Sequence, residues 1–171
     1  ILGSEPVPNG AEPCDVRVTH VLFGKMVEMG VKDAANMGAA MAPAAAQTIL
    51  DYFSDTKEKP QNFDLILTGD LGMVGKTLLL ELLEKEGLQI SRQHNDCGLM
   101  IFDINSQDVH AGGSGCGCSG SVFCSYVLQK MKNSELKRVL FIATGALMSP
   151  TSAQQGESIP GVAHLIELES E

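Results

Sequence analysis

The stretch Ala111–Met131, AGGSGCGCSGSVFCSYVLQKM, decides the fold predicted for this chain. It opens with a glycine-rich turn from Gly112 to Cys118. Glycine at this density permits backbone torsions with positive φ and the close approach of a ligand or of another segment. Ser119 is predicted to cap the following helix, because a serine hydroxyl accepts a hydrogen bond from a first-turn amide.

The segment behind this turn, Gly120–Met131, is small and apolar on nearly every face until Gln129. A helix of this composition is expected to be buried on all sides. Its N-terminal end combines unpaired amides with the positive end of the helix dipole, which suits it to hold an anion or a carbonyl oxygen. The sequence therefore predicts a buried central helix with a candidate binding turn at its start. A tight loop leading into a core helix is the simpler alternative.

The bulk composition limits the possible functions. A chain of 171 residues is long enough for one domain with a core. Its net charge of −9 argues against nucleic acid or an anionic membrane as a partner. We find neither a signal peptide nor an apolar run of the roughly 18 residues that a membrane span needs. Five cysteines without a framework of spacings favour free thiols in a reducing compartment.

Hydrophobic patterning predicts strands and helices that alternate, as in an α/β layered domain. The predicted strands are Val16–Val21, Phe63–Leu67, Leu99–Phe102, Arg138–Ala143 and Ala163–Leu168. The predicted helices before the central one are Met37–Phe53 and Lys76–Glu86. Pro43 suits a first helical turn, so the main part of the former helix is expected to start near Ala42.

Two motifs resemble known sites only in part. Thr68–Thr77, TGDLGMVGKT, ends like a phosphate-binding loop, but Asp70 stands where the first glycine of that motif is required. A tight strand–helix turn is therefore favoured over a nucleotide site. The Cys-x-Cys of the glycine-rich turn, even with His94 and Cys97, is a poor match to structural zinc. We predict no metal or other cofactor. Asp70 and Asp96 are each expected either to orient a ligand or to cap a helix.

Five stretches, in this order and spacing, closely resemble the stage V sporulation protein AD family of spore-forming bacteria. They are MGAAMAPAA (37–45), FDLILTGDL (63–71), HNDCGLMI (94–101), AGGSGC (111–116) and ATGALMSP (143–150). The resemblance runs from about Val16 to Leu168 and covers the C-terminal half of that family's chain. It implies that residues 1–15 are a linker and the tail of a missing N-terminal half. Residues 16–171 would then form a thiolase-like C-terminal domain.

The resemblance implies a fold and a function. The fold is α/β: the C-terminal half of a thiolase-like αβαβα sandwich, with a mixed sheet and a buried central helix. The function is binding of dipicolinic acid (pyridine-2,6-dicarboxylic acid) and its uptake into the developing spore. The implied partners are membrane-embedded proteins of the same sporulation operon. The implied location is peripheral, at the cytoplasmic face of the forespore or spore inner membrane.

The same resemblance argues against catalysis. Condensing enzymes of this fold take their nucleophilic cysteine from the N-terminal half. Their histidine follows the strand that resembles Asp64–Leu67, where this chain has Gly69, and their asparagine opens the central helix, where it has Cys118. Thiolases proper carry a second cysteine where Ala143 stands. Condensation needs a base and an oxyanion hole, so no enzymatic activity is predicted. An acyltransferase that uses Cys116 or Cys118 as nucleophile is the alternative, and a phosphate-loop nucleotide binder is a weaker one.

A planar dianion needs converging donors, which a glycine-rich helix start supplies as backbone amides. The predicted ligand-binding residues are Gly113, Ser114, Gly115, Cys116, Cys118, Thr144, Gly145, Asp70 and Asp96. Thr144 and Gly145 are expected in a turn, and the helix dipole is expected to give the Cys118 thiol modest reactivity toward alkylation. Without its partner helix, the central helix is expected to leave some apolar side chains uncovered, because Val122, Phe123, Tyr126 and Val127 cannot all face the chain's own sheet. We therefore predict pairing with a second copy or with the missing half.

Overall fold

The computed structural model describes residues 15–113 and 115–170. The predictions made for residues 1–14 and for Ser114 lie outside the described residues. Six strands and six α-helices are described in these ranges. The strands are β1 (Val16–Leu22), β2 (Met26–Val27), β3 (Leu65–Thr68), β4 (His94–Asp96), β5 (Arg138–Ala146) and β6 (Gly161–Ser170). The helices are α1 (Met37–Thr56), α2 (Gly72–Lys85), α3 (Cys97–Met100), α4 (Cys118–Val122), α5 (Leu128–Lys132) and α6 (Pro150–Gln154).

A five-residue π-helical segment, Phe123–Val127, joins α4 to α5. These three pieces are called the central helix below. The strands form one mixed sheet in the order β1-β6-β5-β3-β4, and β2 pairs with β6 beside β1. β3 lies parallel to both β4 and β5, whereas β6 runs antiparallel to β5 and β1. The carboxyl ends of β3, β4 and β5 therefore lie at the same edge of the sheet.

Each face of the sheet has its own core. Because side chains alternate along a strand, Ile66 packs among the residues of α1 and α2, and its neighbour Leu67 packs against the central helix. The side chains of β5 alternate in the same way, with Leu140 in the core beside α1 and Val139 in the core beside the central helix. The molecule thus has three layers: α1 with α2, the sheet, and the central helix.

Helices α1 and α2 approach closely through two glycines. A Cβ at Gly75 would lie 2.8 Å from the carbonyl oxygen of Gly38, and one at Gly38 would collide with the carbonyl oxygen of Leu71. The lysine and threonine that follow Gly75 therefore belong to a helix packed on α1, and Thr77 Oγ1 donates to the carbonyl of Met73 at 3.0 Å. The phosphate-loop resemblance is explained by this packing.

A buried carboxylate ties β6 to three neighbours. Glu167 is 0% exposed and accepts from Tyr52 Oη of α1 at 2.6 Å and from Arg138 Nη2 of β5 at 2.5 Å. His20 Nδ1 of β1 lies 2.7 Å from the same carboxylate. Full pairing makes such a buried charge tolerable.

Several sequence expectations are wrong in detail. α1 begins at Met37 and contains Pro43, so the main helix does not start near Ala42. The predicted strand at Leu99–Phe102 is instead the end of α3 and a bend. Ser119 lies inside α4, whose cap position is held by Gly117 without a side-chain hydrogen bond. β5 continues through Ala146, so Thr144 and Gly145 belong to a strand and not to a turn.

The central helix is buried on one side only. Val122 and Val127 are 6% and 0% exposed and lie in the core with Leu67 of the chain's own sheet. Tyr126 is 46% exposed and Phe123 is partly buried against Phe141, with ring centroids 4.8 Å apart. The open side otherwise carries small residues: Gly120, Ser121, Cys124 and Ser125. Within the described ranges, no helix is long and apolar enough to cross a membrane.

Candidate functional site

The candidate site lies at the carboxyl edge of the sheet, where β3, β4 and β5 end. In sheets of this kind, ligands bind outside the carboxyl ends of the strands. Turn 69–71 follows β3, Asp96 ends β4, and Thr144 lies near the end of β5. The glycine-rich turn before α4 meets these elements from the side of the central helix, because Gly115 bonds to Asp70.

Asp96 lies beneath the site and organises it. Its side chain is 0% exposed and accepts four hydrogen bonds. Thr68 Oγ1 and the Leu71 amide donate to Oδ2 at 2.7 and 2.9 Å, and the amides of Gly72 and Gly98 donate to Oδ1 at 2.9 and 3.1 Å. The carboxylate thus caps α3 and satisfies the first amides of α2. The capping alternative is observed, and no surface of Asp96 is open to a ligand.

The electrostatics of Asp96 combine opposing effects. The pKa of its carboxyl is raised, because desolvation by burial, helped by the nearby Asp70, outweighs the lowering by the hydrogen bonds from Thr68, Leu71 and Gly72. All its hydrogen-bond partners are donors, which is the environment of an ionised acceptor. The amides at the start of α2, where a phosphate loop would hold its ligand, are already occupied by this carboxylate.

His94 is a member of this site that the sequence reasoning did not assign to it. It is 6% exposed, and its Nε2 lies 3.0 Å from Thr68 Oγ1. Because Thr68 donates to Asp96, Nε2 of His94 carries the proton and Nδ1 is an acceptor, which has no hydrogen-bond partner among the described residues. Burial, together with the charge of Lys76, lowers the pKa of His94 to about 3. It is therefore neutral at physiological pH.

The glycine-rich turn is fixed to Asp70. The amide of Gly115 donates to Asp70 Oδ2 at 2.8 Å, and the amide of Asp70 donates to Thr144 Oγ1 at 3.2 Å. Gly113 and Gly115 have φ of 101° and 84°, which other residues rarely adopt, so the glycines are required by the path of the turn. The structure therefore brings together four of the residues that were predicted to bind the ligand: Asp70, Gly113, Gly115 and Thr144. Gly145 instead faces Val162 of β6.

The four thiols within the described ranges divide into an exposed pair and a buried pair. Cys116 and Cys124 are exposed, whereas Cys97 and Cys118 are 0% and 1% exposed in the core under the central helix. Burial, with the charge of Asp96 next, strongly raises the pKa of Cys97. Burial of Cys118 opposes its predicted reactivity, because a reagent does not reach its sulfur. Among the residues described, no three His, Cys, Asp or Glu side chains are grouped to hold a metal ion.

Position 69 has no room for a catalytic side chain. A Cβ built on Gly69 would lie 2.8 Å from Thr144 Oγ1 and 3.0 Å from the Thr144 amide nitrogen. This is the position at which the sequence comparison with condensing enzymes expects their histidine. The histidine that does approach β3 is His94, and it is buried beneath the turn and bonded to Thr68.

Comparisons with known proteins agree with this architecture. Residues 4–169 match the family model described as Stage V sporulation protein AD (SpoVAD). The chain is 43% identical over 169 residues to stage V sporulation protein AD of Bacillus subtilis (strain 168), covering 99% of this chain and 50% of that protein. It thus spans about half the length of the curated relative that it matches.

Two solved structures show more distant similarity. AbyA1, described as a tetronic acid condensing enzyme, superposes with a TM-score of 0.52 and 11% identity, covering 95% of this chain and 49% of that one. Human mitochondrial 3-ketoacyl-CoA thiolase gives a TM-score of 0.43 and 15% identity, covering 88% and 30% respectively. The similarity to AbyA1 shows the fold alone, which is the thiolase-like fold expected from the sequence.

Proposed function

This chain belongs to the stage V sporulation protein AD family, and from that membership we propose that it binds dipicolinic acid and supports its uptake into the developing spore. The observation that carries the proposal is the glycine-rich turn at the carboxyl edge of the sheet. There the Gly115 amide already holds a carboxylate, that of Asp70, at 2.8 Å. The same geometry suits a carboxylate of a planar dianion.

The proposed contacts come from the two sides of this edge. The backbone of Gly113 and of residues 115–118 is proposed to line one wall, and Thr144 Oγ1 is proposed to contribute a hydroxyl from β5. Gly113 and Gly115 are exposed, so a ligand reaches their backbone without displacing a side chain of their own. Gly145 remains a proposed neighbour through its place beside Thr144, and Asp96 acts by holding turn 69–72 in position.

The binding role is proposed to be non-catalytic. A condensing reaction needs a base close to the reacting carbonyl. Gly69 offers none, and the neighbouring His94 is buried and, with its pKa lowered to about 3, is a weak base. Burial of Cys118 at the start of the central helix further disfavours an acyl-transfer cycle through that thiol. Thioester turnover by the full-length protein that disappears in Cys116→Ser or Cys118→Ser would contradict this part of the proposal.

Partners and location are proposed on the same basis. The open side of the central helix is proposed to pack against the other half of the family's chain, or against a second copy in its place. The assembled protein is proposed to act at the cytoplasmic face of the forespore or spore inner membrane, with membrane-embedded proteins of the same operon. Co-purification of those proteins with the full-length protein from sporulating cells tests this association.

The function is tested by Gly115→Val in the full-length protein, with dipicolinate binding measured by isothermal titration calorimetry. Valine strains a backbone with φ of 84° and places methyl groups in the turn, so we expect binding to be lost. Gly87→Val is the matched control: Gly87 has φ of 78°, nothing within 4 Å of its Cβ position, and lies after α2. Unchanged dipicolinate affinity in Gly115→Val would contradict the proposed site.

A further inference from the structure

The amide that the proposed ligand needs is already in use. Gly115 N–H donates to Oδ2 of Asp70 at 2.8 Å, so one of the turn's donors holds a carboxylate that belongs to the chain itself. Asp70 is only partly buried, and Gly115 is exposed, so this contact lies at the accessible surface of the site. A bond to a charged acceptor is stronger than one to a neutral acceptor, and breaking it has a cost.

We propose that Asp70 is an internal competitor that occupies the anion-binding turn and sets its affinity for the ligand. This inference rests on the proposed function, because it concerns the same turn. The carboxylate of Asp70 takes the place of a ligand carboxylate on Gly115 and must leave when the ligand binds. Asp70 therefore lowers the affinity for a dicarboxylate instead of contributing a contact to it.

The position of Asp70 allows such an exchange. Its backbone is held independently of its carboxylate, because its amide donates to Thr144 Oγ1 at 3.2 Å. The residues on either side are fixed as well, since Gly69 packs against Thr144 and the Leu71 amide bonds to Asp96. A rotation of the Asp70 side chain thus moves the carboxylate away from Gly115 without moving the turn after β3.

Charge gives the contact a second effect. A carboxylate beside the binding turn repels a dianion as long as it remains in the site, and the repulsion is strong where water is partly excluded. Either route, displacement or repulsion, predicts weaker binding with Asp70 than without it. Asp70 also lies beside Gly113, because its Oδ1 is 3.4 Å from the Cβ position of Gly113, so Gly113 and Gly115 both face this carboxylate.

The test measures dipicolinate affinity by calorimetry in the full-length protein for the wild type, Asp70→Ala and Asp70→Asn. We expect Asp70→Ala to bind at least about tenfold more tightly, the equivalent of one charge-assisted hydrogen bond. The affinity of Asp70→Asn should lie between those of Asp70→Ala and the wild type, because an amide oxygen still accepts from Gly115 but carries no charge. Asp108→Asn is the matched control: it removes one negative charge from a side chain that is 94% exposed and precedes the same turn. It should bind like the wild type.

The outcomes separate this inference from the proposed function. If both Asp70 variants bind dipicolinate with the same affinity as the wild type or more weakly, the inference is overturned and the proposed function stands. Equal tightening in Asp108→Asn also overturns it, because general charge would then explain the gain. Absence of binding in the wild type and all variants contradicts the proposed function and this inference together. Thermal melting identifies a variant that fails to fold, and Asp70→Asn, which keeps the shape of the side chain, then decides.

Discussion

At the scale of single residues, Asp96 is the side chain on which the site most depends. Asp96→Ala leaves the Thr68 hydroxyl and the amides of Leu71, Gly72 and Gly98 without their acceptor in a buried place. We expect a loss of about 2–4 kcal/mol in the free energy of unfolding and loss of dipicolinate binding. Urea denaturation and calorimetry of the full-length protein measure the two effects.

Asp103→Ala is the control for that loss. Asp103 also accepts from backbone and side-chain donors, at Asn105 and Ser106, but it is exposed to water. Its replacement should change the free energy of unfolding far less and leave dipicolinate binding intact, because water accepts hydrogen bonds from the donors that lose Asp103. Equal effects of the two substitutions would show that burial of the Asp96 network is not what stabilises the site.

His94 makes the stability depend on pH in a defined direction. Its pKa is about 3 in the folded chain and 6.5 for the ordinary side chain. As the pH is lowered, this imidazole is therefore protonated in the unfolded chain before it is protonated in the folded chain. Above pH 6.5 this titration does not reduce the free energy of unfolding. As the pH falls from 6.5 toward 3, the free energy of unfolding decreases by up to about 1.4 kcal/mol per pH unit. Denaturation at a series of pH values should show a shallower decline for His94→Gln.

His110→Gln is the matched control, because the His110 side chain is 92% exposed. Other titrating groups are common to the wild type and both variants, so the difference in slope isolates His94. An unchanged slope in His94→Gln would mean that His94 accepts a proton in the folded state.

At the scale of secondary-structure elements, two helical glycines are expected to respond in opposite directions. Gly75→Ala places a Cβ 2.8–2.9 Å from the backbone of Gly38, and we expect about 1–3 kcal/mol of destabilisation. Gly120→Ala meets nothing within 4 Å and should stabilise the isolated chain by up to about 1 kcal/mol through helix propensity. Thermal or urea unfolding compares them directly, and destabilisation by both would contradict the assignment of Gly120 to the open side.

The sequence predicts apolar elements well and polar ones poorly. The predictions at Val16–Val21 and Arg138–Ala143 found β1 and β5, because continuous or alternating apolar residues mark strands covered on one or both faces. β4 was missed because His94, Asn95 and Asp96 carry no hydrophobic signal. This strand exists through its backbone pairing with β3 and through the bonds of its side chains to Thr68.

In the candidate site too, some features could be predicted from local sequence and others could not. Glycine density alone located the turn at 112–118, since positive φ has a clear sequence signature. The role of His94 and the contact between Asp70 and Gly115 depend on segments 26 and 45 residues apart in the chain. Local sequence carries no information about such pairing. For a related reason the sequence did not say which of Val122, Phe123, Tyr126 and Val127 face the chain's own sheet, because periodicity does not identify the layer that a helix face meets.

At the scale of the whole molecule, Cys124 reports whether the open side of the central helix is covered. It is exposed here, on the same side as Gly120 and Ser121. We expect iodoacetamide to label Cys124 rapidly in a monomer of this chain and at least about tenfold more slowly in the full-length protein. Mass spectrometry of the labelled peptides gives both rates, with buried Cys118 as a slow internal reference.

Light scattering of the isolated chain completes that measurement. Protection of Cys124 in a symmetric dimer would show that a second copy covers the helix, as the prediction of pairing requires. Rapid labelling of Cys124 in the full-length protein would mean that this side of the helix stays open, and the proposed packing would be wrong.

The position of the Asp96 carboxylate has a consequence for the order of folding. It accepts amides from the start of α2 and from the start of α3, two places joined in sequence by a helix and a strand. The bond to Gly98 at the start of α3 is local in the chain, whereas the start of α2 gains its two bonds only when β4 has docked beside β3. The first turn of α2 is therefore completed by a segment that lies after the helix in the chain. In the native protein we expect the Leu71 and Gly72 amides to exchange their hydrogens together, when Asp96 separates from them.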